Sequence, residues 1–216
     1  MKKLPARGAL LKIMAKEKIY NAENLINNSF WVHFILNVRI PKIEKMCVRL
    51  EEIIAENKEL CTQKNFYFMS SAAAALCIFE MFRNEGNSYM QAYYKTARPM
   101  WDYCAELEYK YYRKTKTKHS QIKFRRGIED KISAGYESPW EISVLKADAS
   151  GMSFKCTSCF YETFFEKYGL KNIAAMFCYG ENIIYGGMKN LPLTINRTLI
   201  LDDKPCSFIF GVPEAF

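Results

Sequence analysis

Residues 154–181, FKCTSCFYETFFEKYGLKNIAAMFCYGE, carry three of the chain's eight cysteines and end on a carboxylate. Cys159 stands where a strand pattern hands over to a helical one, and Glu162 follows three residues later. A thiol at a helix N-terminus meets unpaired amides and the positive end of the helix dipole, which favour the thiolate and so a nucleophile. The competing reading gives the cap to Thr157 or Ser158 and makes Cys159 a small buried side chain, the usual fate of a free cysteine. Cys178 and Glu181 are three apart in a helical pattern and share a face. A thiol and an acid could therefore converge on one pocket, where the carboxylate would orient water or move a proton.

The C-terminal stretch TINRTLIL, DDKP, CSFIFG reads as an antiparallel hairpin, two strand patterns around a short polar loop. A four-residue loop would set Leu201 against Cys206, Leu199 against Phe208 and Arg197 against Phe210. Arg197 and Cys206 then share a side, with the arginine on an otherwise apolar face. An inward guanidinium needs an anion, and either a ligand carboxylate or a salt bridge to Glu162, Glu166 or Glu181 would satisfy it. Cys156 and Cys159 form a C-x-x-C that Cys178 and Cys206 could complete as a four-thiolate zinc set. Structural zinc sites favour two close pairs on tight turns, and here the second pair is scattered, so no metal ligand is assigned. His33 and His119 lie in unrelated contexts and support no Cys-His arrangement.

The elements that must position these groups fall into a helical part, residues 1–115, a basic connector, 116–138, and a mixed part, 139–216, of one domain spanning 1–216. In KIEKMCVRLEEIIAENKEL, Ile43, Cys47, Leu50, Ile54 and Leu60 make an amphipathic stripe. Thr62 or Asn65 suits the cap of the next helix, Asn87 that of SYMQAYYKTAR, and Pro99 begins a further helix or interrupts a continuous one. The connector is basic and polar, with room for one short helix. After Pro139, WEISVLKA and MSFKC alternate as strands, FYETFFEKY ends at Gly169, and a second helix runs to the glycine pair 186–187. The fold class is α+β: a helical N-terminal half on a small antiparallel sheet, with β-β-α-α-β-β order in the C-terminal half.

Half the residues are hydrophobic, which excludes a disordered chain, and the formal charge of +8 allows anionic ligands without specifying one. No basic-aromatic nucleic-acid module is present. The N-terminus lacks an export signal, and the apolar run 66–82 is short and broken by Ser70, Ser71 and Glu80. The expectation is a cytoplasmic protein with reduced thiols, no membrane and no cofactor, whose partner is a small molecule.

CFYETFFEKYG, FCYGE, NRTLIL and KPCSF, in this order and spacing over residues 151–210, resemble the L-2-amino-thiazoline-4-carboxylic acid hydrolase family. The family pattern is a Cys after a strand, a helix ending in Gly, then C-x-x-D, an R-T with a glycine turn, and C-D-F. The resemblance implies a hydrolase that opens a small sulfur-containing cyclic amidine bearing a carboxylate, giving an N-carbamoyl amino acid. It puts Cys159, Cys178, Glu181, Arg197 and Cys206 at motif positions. Cys159 and Glu181 would be catalytic, and Arg197, Cys178 and Cys206 would bind substrate; the nucleophile could instead be Cys178 or Cys206, or water attacking directly with no covalent intermediate. The chain departs from the pattern at Glu181 and Ser207, where the family has Asp, and at DDKP, where it has a glycine turn. The layout is more distantly similar to 4-vinyl reductase domains, which implies the rival reading of a small-molecule-binding module without catalysis.

Overall fold

Apolar residues at three- and four-residue spacing dictate helices through most of the chain, and period-two patterns dictate strands after Pro139. The computed structural model describes residues 18–114, 117–135, 139–147, 151–188, 191–195, 200 and 204–211, and its elements follow that division. Packing separates two compact units, residues up to Met100 and Trp101–Phe216.

The first unit is helical. It holds α1 (Ala22–Asn27), α2 (Val32–Leu36), α3 (Ile40–Glu56), α4 (Phe66–Asn84) and the start of α5 (Tyr89–Lys114). The buried face of α3 is centred on Met46, Leu50 and Ile53, one position round from the stripe through Cys47 and Ile54 that the spacing suggests. Helix α4 is buried on nearly every side through Ala72–Ile78, so the four alanines serve close packing. It is the described helix long and apolar enough to cross a membrane, and most of it lies inside the protein. Trp31, fully buried, ties α2 to α5 by donating its Nε1 proton to the Thr96 carbonyl at 2.7 Å. Ser88, rather than Asn87, caps α5. Its backbone N–H donates to Gln91 Oε1 at 2.9 Å and its hydroxyl accepts from the Gln91 N–H at 3.3 Å, a reciprocal capping box. Pro99 lies inside α5, which continues through it.

The second unit is the α+β layer. Its sheet contains β1 (Glu141–Ala147), β2 (Gly151–Ser158), β3 (Leu193–Ile195) and β4 (Cys206–Gly211), in the order β1-β2-β4-β3, all antiparallel. Helices α7 (Phe160–Glu166) and α8 (Ala175–Gly186) fall between β2 and β3, as the β-β-α-α-β-β reading requires. Gly169, with φ of 67°, closes the α7 segment in the left-handed conformation. Residues 118–133 of the basic stretch form a sixteen-residue helix, α6 (Lys118–Ser133). Phe124, Ile128 and Ile132, each four residues apart, pack with Met152, Leu193 and Phe210 of the sheet. That stripe makes the segment part of the core.

The hairpin register differs from the one the parity suggests. Ile195 is the partner of Phe208 and Leu193 the partner of Phe210, and Ile200 is helical. The strand is therefore short and its connection to β4 long, because Leu193 and Ile195 already supply the inward residues that β4 needs. The Leu199, Arg197 and Leu201 pairings fall outside the described residues, and the register rules them out for Phe208 and Phe210.

Gly151 marks the end of the β2–β4 ladder, opposite Gly211. A Cβ at Gly151 would meet the Phe210 carbonyl oxygen at 2.3 Å, a backbone atom that cannot swing aside. Gly151→Ala should destabilise the second unit by about 1–3 kcal/mol. Thermal unfolding would show the loss as a lower Tm, and an unchanged Tm would mean the ladder end yields freely.

Candidate thiol and carboxylate site

The site grows from the β2–α7 junction. Cys159 is the N-cap residue of α7, with an extended backbone (φ −126°, ψ 130°), and its carbonyl accepts from the Thr163 N–H at 3.1 Å. The side chain makes no cap hydrogen bond and is buried. Both local readings thus hold together: the residue sits at the helix terminus and inside the core. Burial dominates its ionisation and pushes the thiol up to about 12, while the amides of Glu162 and Tyr161 pull the other way and Glu181 and Cys206 add to the rise. The helix terminus therefore softens the cost of forming a thiolate without making one at neutral pH.

On the sheet, Cys156 faces Cys206 directly across the β2–β4 ladder, and both are buried. On α8, Cys178 and Glu181 lie one turn apart, as the spacing of three requires. Glu181 ties these elements together. Its charge acts on Cys156 of β2, Cys159 and Tyr161 at the start of α7, Cys178 of its own helix and Cys104 of α5. Cys206 in turn acts on Cys156, Cys159 and Cys178. Burial raises the Cys156 and Cys178 thiols far above their ordinary range, followed by Cys159 and Cys206 for Cys156 and by Glu181 for Cys178; burial, with Glu181 next, pushes Cys104 up to about 12. The Glu181 residue is only partly buried, yet its carboxyl lies deep enough for burial to raise it from an ordinary 4.5 to about 7. It is the member of the cluster poised to exchange a proton near neutrality.

Of the residues singled out in the sequence, Cys159, Cys178, Glu181 and Cys206 come together, and Arg197 lies outside the described residues. The salt-bridge reading for Glu162 goes another way, since Glu162 pairs with Lys171 at 3.0 Å. Among the described residues, no three Cys, His, Asp or Glu side chains are arranged to hold a metal ion. Sequence reasoning missed Cys104, Tyr161 and Trp101. Tyr161 stacks flat on Phe177, with ring centroids 3.7 Å apart, and meets Trp140 edge-on. Trp101 and Cys104, three apart on α5, were a legible helical pair, but nothing in the sequence said which partner they meet.

A family model described as L-2-amino-thiazoline-4-carboxylic acid hydrolase matches residues 67–210. The chain belongs to that family. No curated protein matches the chain, and no solved structure does. In this L-2-amino-thiazoline-4-carboxylic acid hydrolase family member the match begins well before the motif-bearing stretch 151–210 and takes in α5, so Trp101 and Cys104 fall inside the family span.

Trp101 holds the helix that carries the acid. Its Nε1 donates to the Met176 carbonyl of α8 at 3.0 Å, and its ring meets Tyr179 edge-on at 6.0 Å. Trp101→Phe keeps an aromatic ring there and removes the hydrogen bond, which should lower stability by about 1 kcal/mol and loosen the placement of Cys178 and Glu181. The measurement is hydrogen exchange, with faster exchange expected in α8. Exchange unchanged there would show that other contacts fix the helix.

Proposed function

We propose that the protein is a hydrolase that opens a small carboxylate-bearing cyclic amidine, 2-amino-thiazoline-4-carboxylate or a relative, to an N-carbamoyl amino acid. Glu181 is the proton carrier and Cys159 the nucleophile. The observation that carries this reading is the enclosed Glu181 carboxylate, set beside the Cys159 and Cys178 thiols, which burial holds protonated, and itself ionising near pH 7. Family membership supports the same reaction class.

A thiol held protonated by burial cannot attack unaided, so a neighbouring base has to take its proton. Glu181 accepts the Cys159 proton as the sulfur adds to the amidine carbon. The ring C–S bond then breaks, and Glu181 returns the proton to the departing sulfur. Water, deprotonated by the same carboxylate, next adds to the carbon held on Cys159. The enzyme thiol leaves with the proton that Glu181 took from the water, the water's second proton passes to the former ring nitrogen, and the carbon keeps the water oxygen as its carbonyl. Cys178 and Cys206 line the pocket, and Arg197 is assigned to the substrate carboxylate on its motif position and charge. One observation favours a second route, direct attack by water: the Cys159 thiol stands at about 12, so Glu181 could deprotonate water with no covalent stage.

The test is incubation of the purified protein with 2-amino-thiazoline-4-carboxylate, following ring opening by mass spectrometry. The expected result is an N-carbamoyl product carrying one oxygen from labelled water. No turnover of this compound or related cyclic amidines at high enzyme concentration would overturn the hydrolase reading in favour of a binding module.

A further inference from the structure

The first unit contains a cavity of about 370 Å³ between α3 and α4, within the size range of small-molecule sites. Two ion pairs bridge the helices at different heights. Lys42 pairs with Glu85, and two turns further along α3 Arg49 forms a fork with Glu80, Nε to Oε2 at 2.9 Å and Nη2 to Oε1 at 3.2 Å. Arg49 is also engaged by Glu52 and Glu56. Between these rungs the wall is formed by Met46 and Met81, and Cys77, one turn beyond Glu80 on α4, extends the apolar, sulfur-rich lining.

The middle of the ladder lacks an anion. Lys45 of α3 and Asn84 of α4 line the cavity between the two bridges. Among the described residues neither side chain has an ion-pair or hydrogen-bond partner, and both are exposed. The flanking carboxylates are already committed to Lys42 and Arg49, so no side chain on either wall supplies the charge that Lys45 would meet. An ammonium and an amide N–H₂ beside an apolar cleft form a donor set for one carboxylate attached to a flexible apolar body. A cationic ligand would face Lys45 instead.

We propose that this cavity binds a small amphipathic monocarboxylate, with its carboxylate on Lys45 and Asn84 and its apolar chain on Met46, Met81 and Cys77. The site lies wholly in the first unit and does not depend on the hydrolase reading. The test is an NMR titration of the full chain with octanoate, with octylamine as the control of opposite charge. The expected result is saturable octanoate binding that shifts amides of α3 and α4, with octylamine at least tenfold weaker. Lys45→Glu should weaken octanoate about tenfold, and Met81→Trp, which fills the cleft, should abolish it. Circular dichroism and Tm establish that each variant is folded. Lys45→Glu changes only an exposed side chain and keeps the test decisive if Met81→Trp does not fold. Absence of saturable binding, equal binding of octylamine, or octanoate binding indifferent to Lys45→Glu would each overturn the proposal.

Discussion

Glu181→Gln should abolish ring opening and make the protein more stable. The amide keeps the shape of the carboxyl but cannot take a proton, so turnover should fall by about 10²–10⁴-fold, the usual weight of a positioned base. In the wild type the rate should rise with pH through about 7, because the carboxylate is the working form and burial holds its ionisation there. The stability effect has the opposite direction. The folded state holds the proton more tightly than the unfolded chain, where Glu181 ionises near 4.5. Between those two values the folded state binds more protons, so stability falls as pH rises from about 4.5 to about 7 and is level above. The gap corresponds to a penalty of roughly 3 kcal/mol at most, which the neutral amide removes. Thermal unfolding of wild type and variant at pH 5 and pH 8 is the measurement. A higher Tm for Glu181→Gln at pH 8 that shrinks to about a quarter of that difference at pH 5 is expected. A variant less stable at pH 8 would mean the carboxylate is paired and not merely buried.

Cys159→Ala separates the two chemical routes. If the sulfur forms the covalent intermediate, its removal should cost roughly 10³-fold or more in turnover, and rapid quenching of the wild type should trap a substrate-mass adduct on the peptide bearing Cys159. If water attacks directly, the variant should keep its rate within about tenfold, and Glu181→Gln should remain inactive. A Cys159→Ser variant checks packing, since a hydroxyl at the N-cap suits the helix start while remaining a poor nucleophile here. Stability retained by Cys159→Ser together with lost turnover assigns the loss to the sulfur's chemistry.

The same carboxylate explains why the site is expensive to build. Four cysteines (Cys104, Cys156, Cys159 and Cys178) and Tyr161 feel the charge of one acid, and burial pushes each of these groups toward its neutral form. Such an environment stores the means to move a proton, because the acid that ionises near neutrality sits beside a thiol that does not. Trp101, Phe177 and the Cys156–Cys206 ladder hold the surrounding elements, so the environment is set by packing and not by a loop.

Local sequence determined much of this. The spacing of Cys178 and Glu181 placed both on one helix face, the strand-to-helix change placed Cys159 at the start of α7, and the period-two patterns gave the strand order along the chain. These are properties of a few neighbouring residues, and backbone geometry fixes them wherever the segment folds. The family was legible for the same reason, since its motifs are short runs at set spacing. Three things were decided only by the tertiary structure. The basic stretch hid α6, because three apolar residues four apart were outnumbered by lysines and arginines until the sheet offered a surface for them. The hairpin register could not be read from parity, since several offsets of TINRTLIL place apolar residues inward and only packing against β4 and α6 selects one. The ionisation of Cys159 and Glu181 was likewise beyond the sequence. A helix N-terminus argues for a thiolate, but burial supplied by α5, α8 and the sheet outweighs it, and burial is a property of neighbours distant in the chain.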